Sequence, residues 1–229
     1  MTAQEVMQIS PIVPVIALDS VDDALPLAEA LLEGGISIME ITLRTESGLG
    51  SIEAISKAMP QMHVGAGTVL NESDFKKAVD HGAEFVFSPG ISEELMQTSK
   101  ELEVALIPGV ATASEVMLAK NHGFEHCKLF PATLAGGVEA LKAFSGPFTS
   151  MHFCPTGGVN LKNLNDFLSL DNVLCAGGSW IVPKQAIKEK NFQEITRLCK
   201  EALLTPPPQH HKVKRIYSKG MRLQSHISD

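Results

Sequence analysis

The 229-residue chain has no apolar run long enough to cross a bilayer, no CxxC pair and no excess of positive charge. A membrane-spanning helix needs about 20 apolar residues in succession, so no membrane partner is expected. The N-terminus lacks a basic start followed by an apolar stretch, so no secretory signal is expected either. The only cysteines are Cys127, Cys154, Cys175 and Cys199. Three of them sit in apolar runs, as reduced core cysteines do, and a reducing cytoplasm is the expected location. The net charge of −7 argues against nucleic acid or an anionic membrane as the main partner. The charge is uneven. Residues 205–229 hold five Lys or Arg and one acid, which leaves the rest of the chain strongly acidic. Metal chemistry also lacks its usual marks. No histidine in residues 1–204 falls in an i, i+2 pair or an HExxH array, so no metal or other cofactor is expected.

What the chain does have is a repeat. Apolar runs rich in Val, Ile and Phe recur at 12–18, 37–43, 62–67, 84–90, 104–109, 126–131, 151–158 and 173–179. Each precedes a more polar segment with helical spacing, such as Ala24, Leu27, Ala28, Leu31 and Leu32. Thr112 and Ser114 look like caps of another helix, and Gly34-Gly35, Gly82 and Gly123 look like helix ends. Eight βα units in about 190 residues predict a (β/α)8 TIM barrel forming one domain over residues 1–204. A doubly wound open sheet is the alternative, and it requires a topological switch point. Pro206–Pro208 should end the last helix, and 205–229 should form a basic extension rather than a domain.

In a barrel, chemistry sits where the strands end. Lys128 lies inside the apolar run "HCKLFP", and alternation puts it on one face with His126 and Phe130. An unperturbed lysine with a pKa near 10.4 leaves about one amine in 2500 neutral at pH 7. Desolvation raises that fraction and makes lysine a nucleophile for a carbonyl carbon. The competing reading is a structural salt bridge with Glu40. Glu40 shares an inward face with Ile38 and Thr42, and could move protons as a general acid and base. Arg44, just past that strand, suits a carboxylate ligand, and Thr68 offers a hydroxyl at the next strand end. "PTGG" (155–158, with Thr156, Gly157 and Gly158) and "GGS" (177–179, with Gly178 and Ser179) could present backbone N–H groups to a phosphate. They could equally be ordinary glycine turns.

Taken in order, "PIVPVIAL", "MEITLRT", "GAGTVLN", "FSPG", "IPGVAT", "KLFPA", "FCPTGGV" and "AGGSW" resemble the class I KDPG/KHG aldolase family from about residue 9 to about residue 203. KDPG is 2-keto-3-deoxy-6-phosphogluconate and KHG is 4-hydroxy-2-oxoglutarate. The resemblance implies a (β/α)8 barrel, a homotrimer, and cleavage of the phosphorylated keto acid to pyruvate and glyceraldehyde 3-phosphate without a cofactor. It implies Lys128 as the Schiff-base lysine and Glu40 as general acid and base. Arg44 and Thr68 become the pyruvate-binding pair. Gly157, Gly158 and Ser179 become the phosphate side, and Pro89 and Phe130 walls of the site. Many relatives carry an acid after "FPA", where this chain has Thr133. That departure leaves preference among KDPG, its galactonate epimer and KHG open. A silent barrel that only binds a phosphorylated acid is the reading from another class.

Overall fold

The computed structural model describes residues 1–204, and the basic extension lies outside the described residues. Strands and helices alternate. The strands are β1 (Ile12–Ile16), β2 (Ile38–Thr42), β3 (His63–Gly67), β4 (Phe85–Phe87), β5 (Ala105–Ile107), β6 (Gly109–Val110), β7 (His126–Leu129), β8 (His152–Pro155) and β9 (Ala176–Gly178). The helices are α1 (Ala3–Gln8), α2 (Ala24–Glu33), α3 (Gly48–Ala58), α4 (Glu72–Asp80), α5 (Glu93–Leu102), α6 (Ala113–Asn121), α7 (Gly137–Ser145), α8 (Leu164–Leu168), α9 (Lys184–Lys188) and α10 (Phe192–Leu204). None of the helices among the described residues is long and apolar enough to cross a membrane.

The helices end as the glycines suggest. After α2, α4 and α6 a glycine takes a left-handed φ: Gly35 at 90°, Gly82 at 94° and Gly123 at 84°. In each case the next residue's N–H reaches back to the helix: Ile36 to Leu31 O, Ala83 to Ala78 O and Phe124 to Ala119 O, all at 2.9 Å. This is the Schellman ending, which satisfies otherwise orphaned carbonyls and turns the chain into the next strand. Helix α6 is capped by Thr112, whose side chain and Glu115 form a reciprocal capping box. Ser114 lies inside the first turn and does not cap.

One expected strand is broken. The run 104–109 divides into β5 and β6 around Pro108, which has no N–H to give a ladder. Its carbonyl still accepts the Lys128 N–H at 2.8 Å. The division falls where one sheet hands over to another. Six strands run β5-β4-β3-β2-β1-β9, three run β6-β7-β8, and every pairing is parallel. The architecture is therefore an α/β fold with a curled parallel half-barrel rather than an open doubly wound sheet. The order falls steadily from β5 to β1, with no reversal of the kind a switch point requires. Two single parallel bridges, Phe153 with Val173 and Thr156 with Gly177, reach from β8 toward β9.

Both faces of these strands are covered. All five residues of β2 are buried, and so are Val64, Ala66, Phe85, Val86, Phe87, Cys127 and Leu129 on their neighbours. A strand buried on both faces should be wholly apolar. Glu40 and Lys128 break that rule, and both are buried.

Candidate active site

Glu40 and Lys128 are 88 residues apart in sequence, yet Lys128 Nζ donates to Glu40 Oε1 at 3.1 Å and to Oε2 at 3.4 Å. Their side chains retain only 6% and 1% of their exposure. The ammonium also lies 5.3 Å from the centre of the Phe87 ring and 5.5 Å from that of Phe130. An amine between two rings and one carboxylate has little water to hold its charge and a single acceptor to take its proton. Below the pair, Cys154 stands in register beside Lys128. Its neighbour Cys175 has a thiol pushed well above the ordinary range, by its hydrogen bond with Cys154, by burial and by the Glu40 charge. Burial alone pushes Cys127 up to about 12. These thiols stay protonated, and all four cysteines are free and buried.

The other residues singled out from the sequence gather at the C-terminal ends of the strands. The Leu43 N–H is bonded to Gly67 O at 2.8 Å, which ties the end of β2 to that of β3 and brings Arg44 and Thr68 to neighbouring positions. Arg44 is exposed, and its Nε donates to Thr42 Oγ1 at 3.2 Å, while Thr42 Oγ1 donates to Ile16 O at 2.9 Å. The guanidinium is thus held at its root, and its fork has no partner among the described residues. Thr68 has a φ of 58°. A β-branched residue is strained in that left-handed region, by about 1–3 kcal/mol, and such strain gathers at functional sites. Pro89 follows β4, and Gly109 lies so near it that a Cβ there would be 2.3 Å from the Pro89 carbonyl carbon.

Across the mouth, the loops after β7 and β8 are laced together. Ala132 N–H donates to Thr156 O at 2.8 Å and Thr133 N–H to Gly157 O at 3.1 Å, and the Thr133 hydroxyl reaches the same oxygen at 3.3 Å. Gly157 and Gly158 both have left-handed φ, 99° and 78°. Asn160 and Asn163 hold the Gly158 carbonyl from the far side at 3.2 Å and 3.0 Å. Both carbonyls of the turn are thus engaged, and the Gly158 N–H has no acceptor among the described residues. Thr156 is buried and rests on Gly177, where a Cβ would meet its Oγ1 at 2.2 Å. Gly178 is buried under Trp180, whose ring would be 1.7 Å from a Cβ there. Both glycines of "GGS" thus have packing reasons to be glycine, and Ser179 beyond them is exposed.

Sequence reasoning missed Phe87 and Thr42. Phe87 was visible only as a strand aromatic, and Thr42 only as a third inward residue after Glu40. Their roles arise from contacts between strands and carry no local signal. No group of three or more His, Cys, Asp or Glu among the described residues could hold a metal ion.

The family model for KDPG and KHG aldolase matches residues 3–198. The 2-dehydro-3-deoxy-phosphogluconate aldolase of Pseudomonas aeruginosa is 50% identical over 192 residues, covering 84% of this chain and 87% of its own. The KHG/KDPG aldolase of Escherichia coli is 44% identical over 202 residues, covering 88% and 95%. Among solved structures, the KDPG aldolase of Legionella pneumophila superposes with a TM-score of 0.87 at 46% identity, covering 88% of this chain and 98% of that one. That structure captured pyruvate as a covalent carbinolamine. By the family match along most of its length and by these identities, the chain belongs to the KDPG and KHG aldolase family.

Proposed function

We propose that the protein is a class I aldolase that cleaves KDPG to pyruvate and glyceraldehyde 3-phosphate, and that it also accepts KHG, giving pyruvate and glyoxylate. The observation that carries this reading is the buried Lys128 amine, 3.1 Å from a single carboxylate and set between two rings. A structural ion pair is a poor account of that arrangement. Desolvating two charges costs several kcal/mol per ion, and an apolar pair of similar volume is often as stable or more so.

The chemistry follows from the positions. Lys128 passes its proton to Glu40 and attacks the substrate's C2 carbonyl. Glu40 then gives that proton to the carbinolamine hydroxyl, which leaves as water, so an iminium forms and Glu40 is again a carboxylate. Glu40 takes the proton of the C4 hydroxyl, and the C3–C4 bond breaks. Its electron pair passes into the iminium, giving an enamine, while C4 departs as the aldehyde. Glu40 then returns the proton to C3, and water hydrolyses the second iminium, releasing pyruvate and restoring Lys128. The iminium is the electron sink, so no cofactor is required. Arg44 and Thr68 bind the pyruvyl end, and Pro89 and Phe130 wall the site. Thr156, Gly157, Gly158, Gly178 and Ser179 form the phosphate side, supported by a Gly158 N–H with no acceptor among the described residues and by the exposed Ser179 hydroxyl. The galactonate epimer shares the pyruvyl end, and nothing in the site favours it over KDPG.

The wider reading has its own support. The shared β5–β6 run and the two bridges from β8 favour closure of the sheets into one (β/α)8 barrel over residues 1–204. Four free buried thiols accord with a cytoplasmic location, and the family resemblance is the basis for a homotrimer. The deciding experiment is borohydride trapping with pyruvate, read by intact mass and peptide mapping. One reduced pyruvyl unit should appear, on Lys128, and none in Lys128→Met, which should also lose cleavage. Normal turnover by Lys128→Met, or no adduct on the parent chain, would overturn the reading. The second outcome would leave the silent phospho-acid-binding barrel.

A further inference from the structure

Strand β3, His63-Val64-Gly65-Ala66-Gly67, places two glycines side by side with β2. Neither is among the glycines with a left-handed φ, so neither is needed for backbone freedom. Glycine inside a strand weakens it by about 0.5–1 kcal/mol relative to alanine, and it often marks a close approach by another group. Here each glycine admits a different one. A Cβ on Gly65 would lie 2.2 Å from Phe85 Cε2. A Cβ on Gly67 would lie 2.0 Å from Glu40 Oε1 and 2.6 Å from Glu40 Cδ and Cγ.

The register makes this informative. Glu40 is paired with Gly65, and Gly67 with Thr42. The room over Gly65 is filled by the Phe85 ring, so the Glu40 side chain leans one inward position further along β3 and lies across Gly67. That lean runs toward the strand ends, and it is where Lys128 Nζ meets the carboxylate at 3.1 Å. We infer that Gly67 is a positioning residue for proton transfer: its missing side chain is the seat that holds the Glu40 carboxylate against Lys128. The inference rests on the reading of Glu40 as the group that moves protons.

The test is Gly67→Ala, followed by two readouts. One is borohydride trapping with pyruvate carried to completion, which requires Lys128 and is only slowed when the Glu40 carboxylate is out of place. The other is exchange of the pyruvate methyl protons in D₂O by NMR, which needs a carboxylate in place as well. Trapping should survive. Exchange should fall by about 10- to 100-fold, since a displacement near 1 Å can cost on the order of 10²-fold. The same change is then made on Glu40→Asp, whose carboxylate stem is one methylene shorter. Adding alanine at 67 should cost a much smaller factor there, because the shorter chain no longer runs through the space the methyl takes. A general structural defect would cost the same factor in both backgrounds, and that result would overturn the inference. So would parent-like exchange by Gly67→Ala, or failure of both alanine-bearing chains to trap pyruvate. Failure of the parent chain to trap pyruvate would instead sink the aldolase reading itself.

Discussion

Lys128 and Glu40 form a pair that function explains better than stability does. Removing one partner strands a buried charge and should cost about 3–5 kcal/mol. Removing both should not. Lys128→Met with Glu40→Leu should therefore be at least as stable as the parent in urea unfolding, and catalytically dead, whereas Lys128→Met alone should be less stable. A double variant markedly weaker than either single variant would make the pair structural. Arg44 works at the same scale. Its Nε is anchored on Thr42, and its remaining N–H donors have no acceptor among the described residues. Arg44→Ala should raise KM about 10- to 100-fold for phosphorylated and unphosphorylated keto acids alike, as losing a charge-assisted hydrogen bond of about 1.5–3 kcal/mol implies. An effect confined to the phosphorylated substrate would place Arg44 on the other side of the site.

Elements set these side chains by how they end. Three non-glycine residues among those described take left-handed φ: Thr68 at 58° after β3, Glu103 at 54° after α5 and Lys190 at 55° after α9. Val104 N–H reaches back to Ser99 O at 3.2 Å, so Glu103 occupies the glycine position of a Schellman ending. It is exposed and takes no part in the proposed chemistry. Glu103→Gly should raise stability by up to about 1 kcal/mol, since the left-handed penalty for an L-residue exceeds glycine's entropic cost, and should leave kcat/KM unchanged. Thr68→Gly should gain similar stability but raise KM for pyruvate. The contrast separates strain that serves binding from strain that does not. The turn after β8 behaves differently again. A Cβ on Gly158 would meet Thr133 Oγ1 at 2.1 Å, with φ at 78°. Gly158→Ala should therefore disturb the lacing between the two loops and raise KM for KDPG much more than for KHG. Equal effects on both substrates would remove this turn from the phosphate side.

Across the whole molecule the two ends of the strands do different work. The site residues lie at the C-terminal ends, and at the N-terminal ends His126 and His152 stack with ring centres 5.4 Å apart and planes 13° apart. Burial lowers the His126 pKa from 6.5, the facing His152 lowers it further, and Glu125 opposes both. The fold thus favours neutral His126, and the unfolded chain binds the proton more readily. Stability from this contact is fully present above pH 6.5 and is lost as pH falls through the lower folded value. His126→Gln should flatten the acid limb of a Tm-against-pH profile, and an unchanged limb would assign the loss to other groups. At the same scale, a chain ending at residue 204 should keep near-normal kcat/KM, because every group used in the proposed chemistry precedes that point. Loss of turnover on truncation would show that residues 205–229 take part.

The alternation of apolar runs with helical spacing, the glycine helix ends and the inward placement of Lys128 and Glu40 were all legible in order along the chain. They depend on the periods of strands and helices, which any neighbouring stretch of sequence records. The break of one run at Pro108 had its signal in a single residue, although only the pairing showed that it divides two sheets. Other features depended on which strands became neighbours. Phe87 beside the amine, Thr42 beneath Arg44, Trp180 over Gly178 and the two clearances on β3 are contacts between side chains distant in sequence. A glycine reads the same in a sequence whether it serves a turn or makes room. Only the packing of Glu40 against Gly67 decided which, because steric exclusion acts between atoms in space and leaves no period along the chain.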